Sequence, residues 1–454
     1  LMQTDHVQTL RLATRSVAYY PDLFLDNEGA YLKYLKQKSL ELQQNGKRME
    51  LATHFIHPDE VSPESLEIIS ELVNSGIAVY IQTPFLNECN DQGPELVKLF
   101  SMLRGAGAEL HYIYIPCSPI HGNSIYWKEL SHGIDMALYL RAHLSDRVIP
   151  RICTATPIGK MDWFTSGWAV EKVKGNDNFI WIRTPYTPEY FKSFAPLEKK
   201  FDNMRVNDEG TIDIQYMAQI GAEGYLIGNR PKRETDKHKP ASREDIQQLE
   251  QALSKARQTA VPVVNTGINT VTRVHETRVE IDDKADDSAL SYIESDPRIT
   301  DVVFSSKKDA VDCLHEIRQI VSFLKTVPHV NAVRLVSKKF ITDPDMFTRA
   351  VINTLGDMNT LRVVNPLRLE IETWLMHKDQ LDRNHEKLAR RLNNKGISVY
   401  CNVPLLGGVN DSDSDIHDLA YTLRKTGIEF HHLYVAGLPV QNEWNSRFPV
   451  DSYD

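Results

Sequence analysis

A stretch near the start of this 454-residue chain recurs near its end, in one frame and without a gap. LATHFIHPDE at 51–60 is answered by IETWLMHKDQ at 371–380. SGIAVYIQTPFLNECND at 75–91 is answered by KGISVYCNVPLLGGVND at 395–411, and ELHYIYIPCSP at 109–119 by EFHHLYVAGLP at 429–439. Thr53/Thr373, Gly76/Gly396, Tyr80/Tyr400, Pro84/Pro404, Asn90/Asn410, Asp91/Asp411, Arg104/Arg424, His111/His431 and Tyr114/Tyr434 all sit 320 residues apart. Such a register implies a duplicated domain, since the period is far too long for a solenoid. An earlier segment, HVQTLRLATRS at 6–16, matches HVNAVRLVSKK at 329–339 with an offset of 323.

Within the repeat, strands alternate with helices. ELATHF reads as a strand, and SPESLEIISELVNSG as a helix with Ser62 as N-cap, Pro63 at the first helical position and Gly76 as the stop. IAVYIQT is a buried strand, PELVKLFSMLRGAG a helix, and ELHYIYI a further strand. Residues 29–45 carry helical spacing at Leu32, Leu35 and Leu40, and residues 131–144 form another helix. VIPRICTATPIGKMD at 148–162 reads as a strand followed by a Gly–Lys turn. This alternation indicates parallel βαβ units, either a (β/α) barrel or a doubly wound sheet. In the second copy, helix, turn and strand at 288–306 precede a helix at 310–327. The polar run TDKHKPASRE at 235–244 reads as a linker leading into a helix at 243–259. The chain therefore divides into 1–234, a linker with its helix at 235–260, and 261–454.

The net charge of −9 argues against a general nucleic-acid binder. No apolar run is long enough for a bilayer. Five scattered cysteines, Cys89, Cys117, Cys153, Cys313 and Cys401, suit a reducing cytoplasm and give no disulfide framework. The start on Leu1 and the uncapped end suggest a piece of a longer protein.

Both copies resemble lysine 2,3-aminomutase and its relatives, radical S-adenosylmethionine enzymes on a partial (β/α)6 barrel. THFIHPDEVSPES resembles the family's THFNHPNEIT stretch, and IQTPFLNECND its NQTVLLRGVND, kept more literally as LLGGVND in the second copy. LRAHLSDRVIP at 140–150 resembles LRGHTSGYAVP. The resemblance covers roughly 4–162 and 287–444. It implies an α/β chain of two tandem partial barrels, the first truncated at its N-terminus. It also implies a [4Fe–4S] cluster on CxxxCxxC, S-adenosylmethionine and pyridoxal phosphate, which together move an amino group on a small-molecule amino acid. The closest cysteines here are Cys89 and Cys117, so the chain holds no such triad. For the first copy the ligands are expected upstream of residue 1. In the second, their place is taken by VEIDDKADDS, and the family's SGGDP turn by SSKKD at 305–309. The second copy therefore reads as a degenerate, structural barrel, with Trp374 and Asn402 where the first keeps His54 and Gln82.

The same resemblance names the residues of the first copy. Arg15 matches the arginine that grips the substrate carboxylate, a role suited to a bidentate guanidinium, although a surface arginine at a strand end reads the same way. His54 and Gln82 match residues near S-adenosylmethionine; a barrel-lining amide satisfied by backbone is the plain alternative for Gln82. Lys160 falls where the family's GGGGK places the lysine that forms the Schiff base with pyridoxal phosphate, and a solvated loop lysine is its plain alternative. Cys117 and Ala155 stand where lysine-specific members carry two aspartates for the substrate ammonium. Neither can pair with a cation, so lysine is not the expected substrate. The HxxH of His54 and His57 is read as structural, with no metal. The remaining readings are a binding or scaffold module whose barrels have both lost chemistry, and a non-radical pyridoxal phosphate enzyme through Lys160. An oligomer is compatible with either.

Overall fold

The computed structural model describes residues 4, 6–116, 130–156, 159–162, 168–184, 186–189, 204–217, 266–406 and 409–435. The 235–244 linker, the 243–259 helix and Cys117 lie outside them. Three sheets account for the strands. The first has the order β1 (Thr9–Ala13), β2 (Arg48–His54), β3 (Ala78–Pro84), β4 (Glu109–Pro116), β5 (Arg151–Thr156) and β6 (Gly159–Asp162). It is parallel from β1 to β5 and closes with an antiparallel hairpin of β5 and β6. Helices α1 (Ser16–Tyr19), α2 (Asp22–Gln44), α3 (Pro63–Val73), α4 (Gly93–Gly105) and α5 (Leu130–His143) fall between its strands.

The second sheet runs β11 (Val271–His275), β12 (Arg278–Ile281), β13 (Asp301–Phe304), β14 (Ala332–Val336), β15 (Arg368–Trp374), β16 (Ser398–Leu405) and β17 (Glu429–Val435). Only its first pair is antiparallel. Its helices are α6 (Asp287–Ser295), α7 (Leu314–Leu324), α8 (Lys339–Thr342), α9 (Arg349–Met358), α10 (Arg383–Asn393) and α11 (Asp413–Thr426). Between the two lies a four-stranded antiparallel sheet, in the order β7 (Trp168–Val173), β8 (Asn176–Arg183), β10 (Ile212–Met217) and β9 (Met204–Val206). The sequence reading contains no counterpart to this sheet.

Local rules place the elements as the sequence suggests. Ser62 Oγ accepts the Ser65 amide at 3.1 Å and Pro63 fills the first helical position of α3, a cap that contributes about 1 kcal/mol. Its apolar face, Leu66, Ile69, Leu72 and Val73, is buried. The α2 helix breaks at Asp26–Gly29, where Asn27, Glu28 and Gly29 take positive φ, so its regular part follows Gly29.

Each parallel sheet has its own apolar core beneath its helices: Leu51, Ile69, Val79, Phe100 and Ile113 in the first, Val302, Leu335, Ile371, Val399 and Leu423 in the second. The 320-residue register holds in three dimensions. β2, α3, β3, α4 and β4 begin 320 residues before β15, α10, β16, α11 and β17, and the strand irregularity at Ile81/Gln82 returns at Cys401/Asn402.

The halves meet through buried charge. Arg104 of α4 donates to Glu370 at 3.0 Å and lies 2.8 Å from Asp301, while its counterpart Arg424 donates to Glu50 at 2.8 Å. Glu429 takes bonds from Arg48 and Tyr80, both at 2.8 Å, while its counterpart Glu109 takes them from Arg368 and from Tyr400 at 2.8 Å. Apart from the Arg104–Asp301 contact, each recurs with the halves exchanged, the pattern of a two-fold axis. Gly76 and Gly396, both at positive φ, let the two halves approach: an added Cβ would meet Asn394 at the first and Asn74 at the second.

Candidate active site at the strand ends of the first sheet

Side chains alternate along β2, so Met49, Leu51 and Phe55 join the helix-side core while Glu50 and His54 face the other way. The same alternation puts Val79 and Ile81 of β3 in the core and leaves Tyr80 and Gln82 opposite. His54 and Gln82 are paired neighbours at the C-terminal ends of β2 and β3. Arg15, two residues past the end of β1, is the N-cap residue of α1.

Lys160 completes the group. It sits within β6, paired with Ala155 of β5, and not in the turn that the sequence reading assigned to it. The correction has a simple cause: the residues after the turn add an antiparallel strand to β5, whose free edge would otherwise lack a partner. Lys160 Nζ donates to Gln82 Oε1 at 2.7 Å and lies 4.8 Å from the Tyr112 ring centre and 5.3 Å from that of Tyr114. Partial burial lowers its pKa, with Cys153 raising it and Arg11 lowering it. The His54 ring stands 6.0 Å from the Tyr114 ring. Burial first, then the cations Arg15 and Lys160, lower the His54 pKa against a hydrogen bond with Gln82 that raises it.

Arg15 lies 3.6 Å from Glu60 and 4.0 Å over the Tyr19 ring, while its Nε and Nη2 are buried without a hydrogen-bond partner among the described residues. Four of the sequence-derived residues, Arg15, His54, Gln82 and Lys160, thus gather at one sheet end. Ala155 pairs with Pro116 and Lys160 along the backbone. Tyr112, Tyr114 and Cys153 were not singled out from sequence, although the Tyr114/Tyr434 match was a signal for one of them.

His57 is a capping residue: its Nδ1 accepts the Asp59 amide at 3.2 Å, as His377 does for Asp379 at 3.3 Å. Among the described residues, Asp146, His431 and His432 are the trio close enough to share a metal. Asp146 is already held by Arg278 at 2.7 Å and Arg334 at 3.0 Å, so an added cation would face two guanidiniums.

In the second half the acidic stretch and the 305–309 turn are tied by their own side chains. Asp283 takes Lys308 at 2.9 Å and Ser306 at 2.6 Å. Asp309 accepts from the amides of Val311, Lys338 and Lys339 and from the Ser337 hydroxyl, so the 305–309 turn is satisfied from within. A cluster does not fit the residues present. Cys153, Cys313 and Cys401 are separate and buried, and burial pushes the Cys313 and Cys401 thiols up. An aldehyde cofactor does fit the amine of Lys160, which aromatic rings and a glutamine hold at a strand end.

Comparison with known proteins agrees with the resemblance. A protein of Aquifex aeolicus that carries the L-lysine 2,3-aminomutase name is 29% identical over 190 residues, 42% of this chain and 48% of that protein. The L-lysine 2,3-aminomutase of Fusobacterium nucleatum is 32% identical over 161 residues, 34% of this chain and 37% of the enzyme. Over these stretches the chain is similar to the lysine 2,3-aminomutases. It spans less than half the length of these two relatives. No family model matches. A spore photoproduct lyase mutant with bound AdoMet is 15% identical, with a TM-score of 0.23 over 37% of this chain and 50% of that one, a likeness that carries no fold assignment. No helix among the described residues of the aminomutase-like chain is long and apolar enough to cross a membrane.

Proposed function

We propose that the first half carries the reacting end of a radical aminomutase-type isomerase acting on an amino acid other than lysine, and that the second half is its duplicated, non-catalytic scaffold on a second partial barrel. The observation that carries this reading is the junction of Lys160 with Gln82, beside His54 and Arg15. Pyridoxal phosphate, when bound, would supply the carbonyl chemistry that lets an amino group leave one carbon for its neighbour. Lys160 is the residue that would hold it. A partly desolvated amine sheds its proton more readily than a solvated one, and only the free amine attacks a carbonyl. Gln82 accepts from the Lys160 amine and aims it. Arg15, whose Nε has no hydrogen-bond partner among the described residues, suits a substrate carboxylate. Cys117 and Ala155, in place of two aspartates, support a substrate without a second ammonium.

The cluster that generates the radical is proposed to be held by cysteines beyond the five in this sequence, and no step is assigned to it. A gene segment before the codon for Leu1 that lacks CxxxCxxC would remove the radical reading. Lys160 is tested on the chain itself: incubate with pyridoxal phosphate, reduce with borohydride and map the modified peptides. Enrichment of the pyridoxyl group on Lys160 above other exposed lysines such as Lys33, lost in Lys160→Arg, is the expected result. Labelling spread over surface lysines and no enrichment on Lys160 would overturn the assignment.

A further inference from the structure

The turn that leads into β5 anchors in the other half. Asp146 Oδ1 accepts from Arg334 at 3.0 Å, and Arg278 lies 2.7 Å from Oδ2. Arg147, 5% exposed, donates to Glu372 Oε2 at 2.9 Å and sets its guanidinium 4.4 Å from the Tyr400 ring centre. Arg334, Glu372 and Tyr400 stand on β14, β15 and β16, so this two-residue plug crosses three adjacent strands of the second sheet. Val148 and Leu144 on either side are buried in the first half's core. Directly beyond, Arg151 opens β5, which carries β6 and Lys160 by antiparallel pairing.

We propose that the second half is a socket for Asp146 and Arg147, and that this anchorage fixes the β5–β6 hairpin on which Lys160 is presented. The two are positioning residues and touch no substrate. The importance given to Lys160 rests on the function proposed above; the anchorage itself does not. The physical argument is one of commitment. A guanidinium taken out of water is costly unless paired, so the plug has one favourable seat. On the near side β5 is bonded to β4 only from Arg151 onward, and β6 has β5 as its neighbour in the sheet. A reactive group displaced by about 1 Å loses about a hundredfold in rate, so a second anchor at the foot of the hairpin matters.

The test uses the full chain and a reagent unrelated to any cofactor. Trace acetic anhydride is applied across the alkaline range, and the labelling midpoint of Lys160 is read by peptide mass mapping against Lys33 as reference. The expected result is that Arg147→Met moves the Lys160 midpoint up, and that the exchanged pair Arg147→Glu with Glu372→Arg returns it. A folded Arg147→Met chain with an unmoved midpoint overturns the proposal and leaves β4 as the hairpin's support. Where Arg147→Met does not fold, Asp146→Asn decides by the same criterion. Failure of pyridoxal phosphate to reach Lys160 would remove the functional reading without touching this measurement.

Discussion

Lys160 and Gln82, 78 residues apart, meet at 2.7 Å across the inner face of the first sheet. His54 reports on that junction because its pKa feels both partners. The hydrogen bond to Gln82 raises it and the Lys160 charge lowers it, beneath a larger lowering from burial. Gln82→Leu is therefore expected to lower the His54 midpoint further, and Lys160→Met to raise it. Ring-carbon NMR titration measures both; shifts of the same sign would show that the three do not form one cluster.

The contacts between the halves are matched in geometry and unequal in energy. Arg104 is buried against buried Asp301 and Glu370, whereas Arg424 is 46% exposed against Glu50, which also has Arg11 at 2.9 Å and Arg48 at 3.0 Å. Arg104→Met should cost about 3–5 kcal/mol, since it strips a partner from buried carboxylates. Arg424→Met should cost about 0–1 kcal/mol. Urea unfolding of the two variants gives the comparison, and equal losses would contradict it.

Glu370 gives the pH dependence. Despite burial, Arg104, Arg368 and Arg334 hold its pKa down at about 2, from an ordinary 4.5. A depressed carboxylate stabilises the fold above its unfolded pKa, and that stability is lost as pH falls from about 4.5 through about 2. The urea midpoint of Glu370→Gln should therefore fall less steeply across this window than that of the unsubstituted chain. Parallel curves would remove Glu370 from the acid response.

Asn90 and Asn410 tie equivalent loops. Each accepts a backbone amide, from Leu86 and Leu406 at 2.8 Å, and donates to two carbonyls: Ile56 at 2.9 Å and Pro84 at 2.8 Å, or Met376 and Pro404 at 2.8 Å. Three buried backbone groups lose a partner in either Asn→Ala variant, a cost of about 3 kcal/mol from roughly 1 kcal/mol per bond. Calorimetry should show similar losses at both; a neutral change at one would mean that its loop relaxes onto other partners.

The repeat, the strand–helix order and the gathering of Arg15, His54 and Gln82 were legible because they depend on local periodicity and on one motif frame. His54 and Gln82 end neighbouring strands, and a parallel register brings such ends together. Lys160 was read as part of a turn and stands in a strand, because antiparallel addition to β5 depends on a free edge that sequence does not display. The sheet from β7 to β10 went unread for a related reason: its strands pair among themselves and repeat nothing in the second half.

By itself, the sequence determined the 320-residue register, the caps and turns, and which residue types stand at each strand end. Those are short-range properties, set by side-chain alternation and backbone chemistry within a few residues. Only the tertiary structure decided that Arg104 would reach Glu370 across 266 residues, that Arg147 would enter the second half, and that Lys160 would meet Gln82. An arginine in a strand–helix repeat reads as a surface charge until a second half removes water from around it. Its partner is then chosen by packing, through the cost of leaving a buried charge alone.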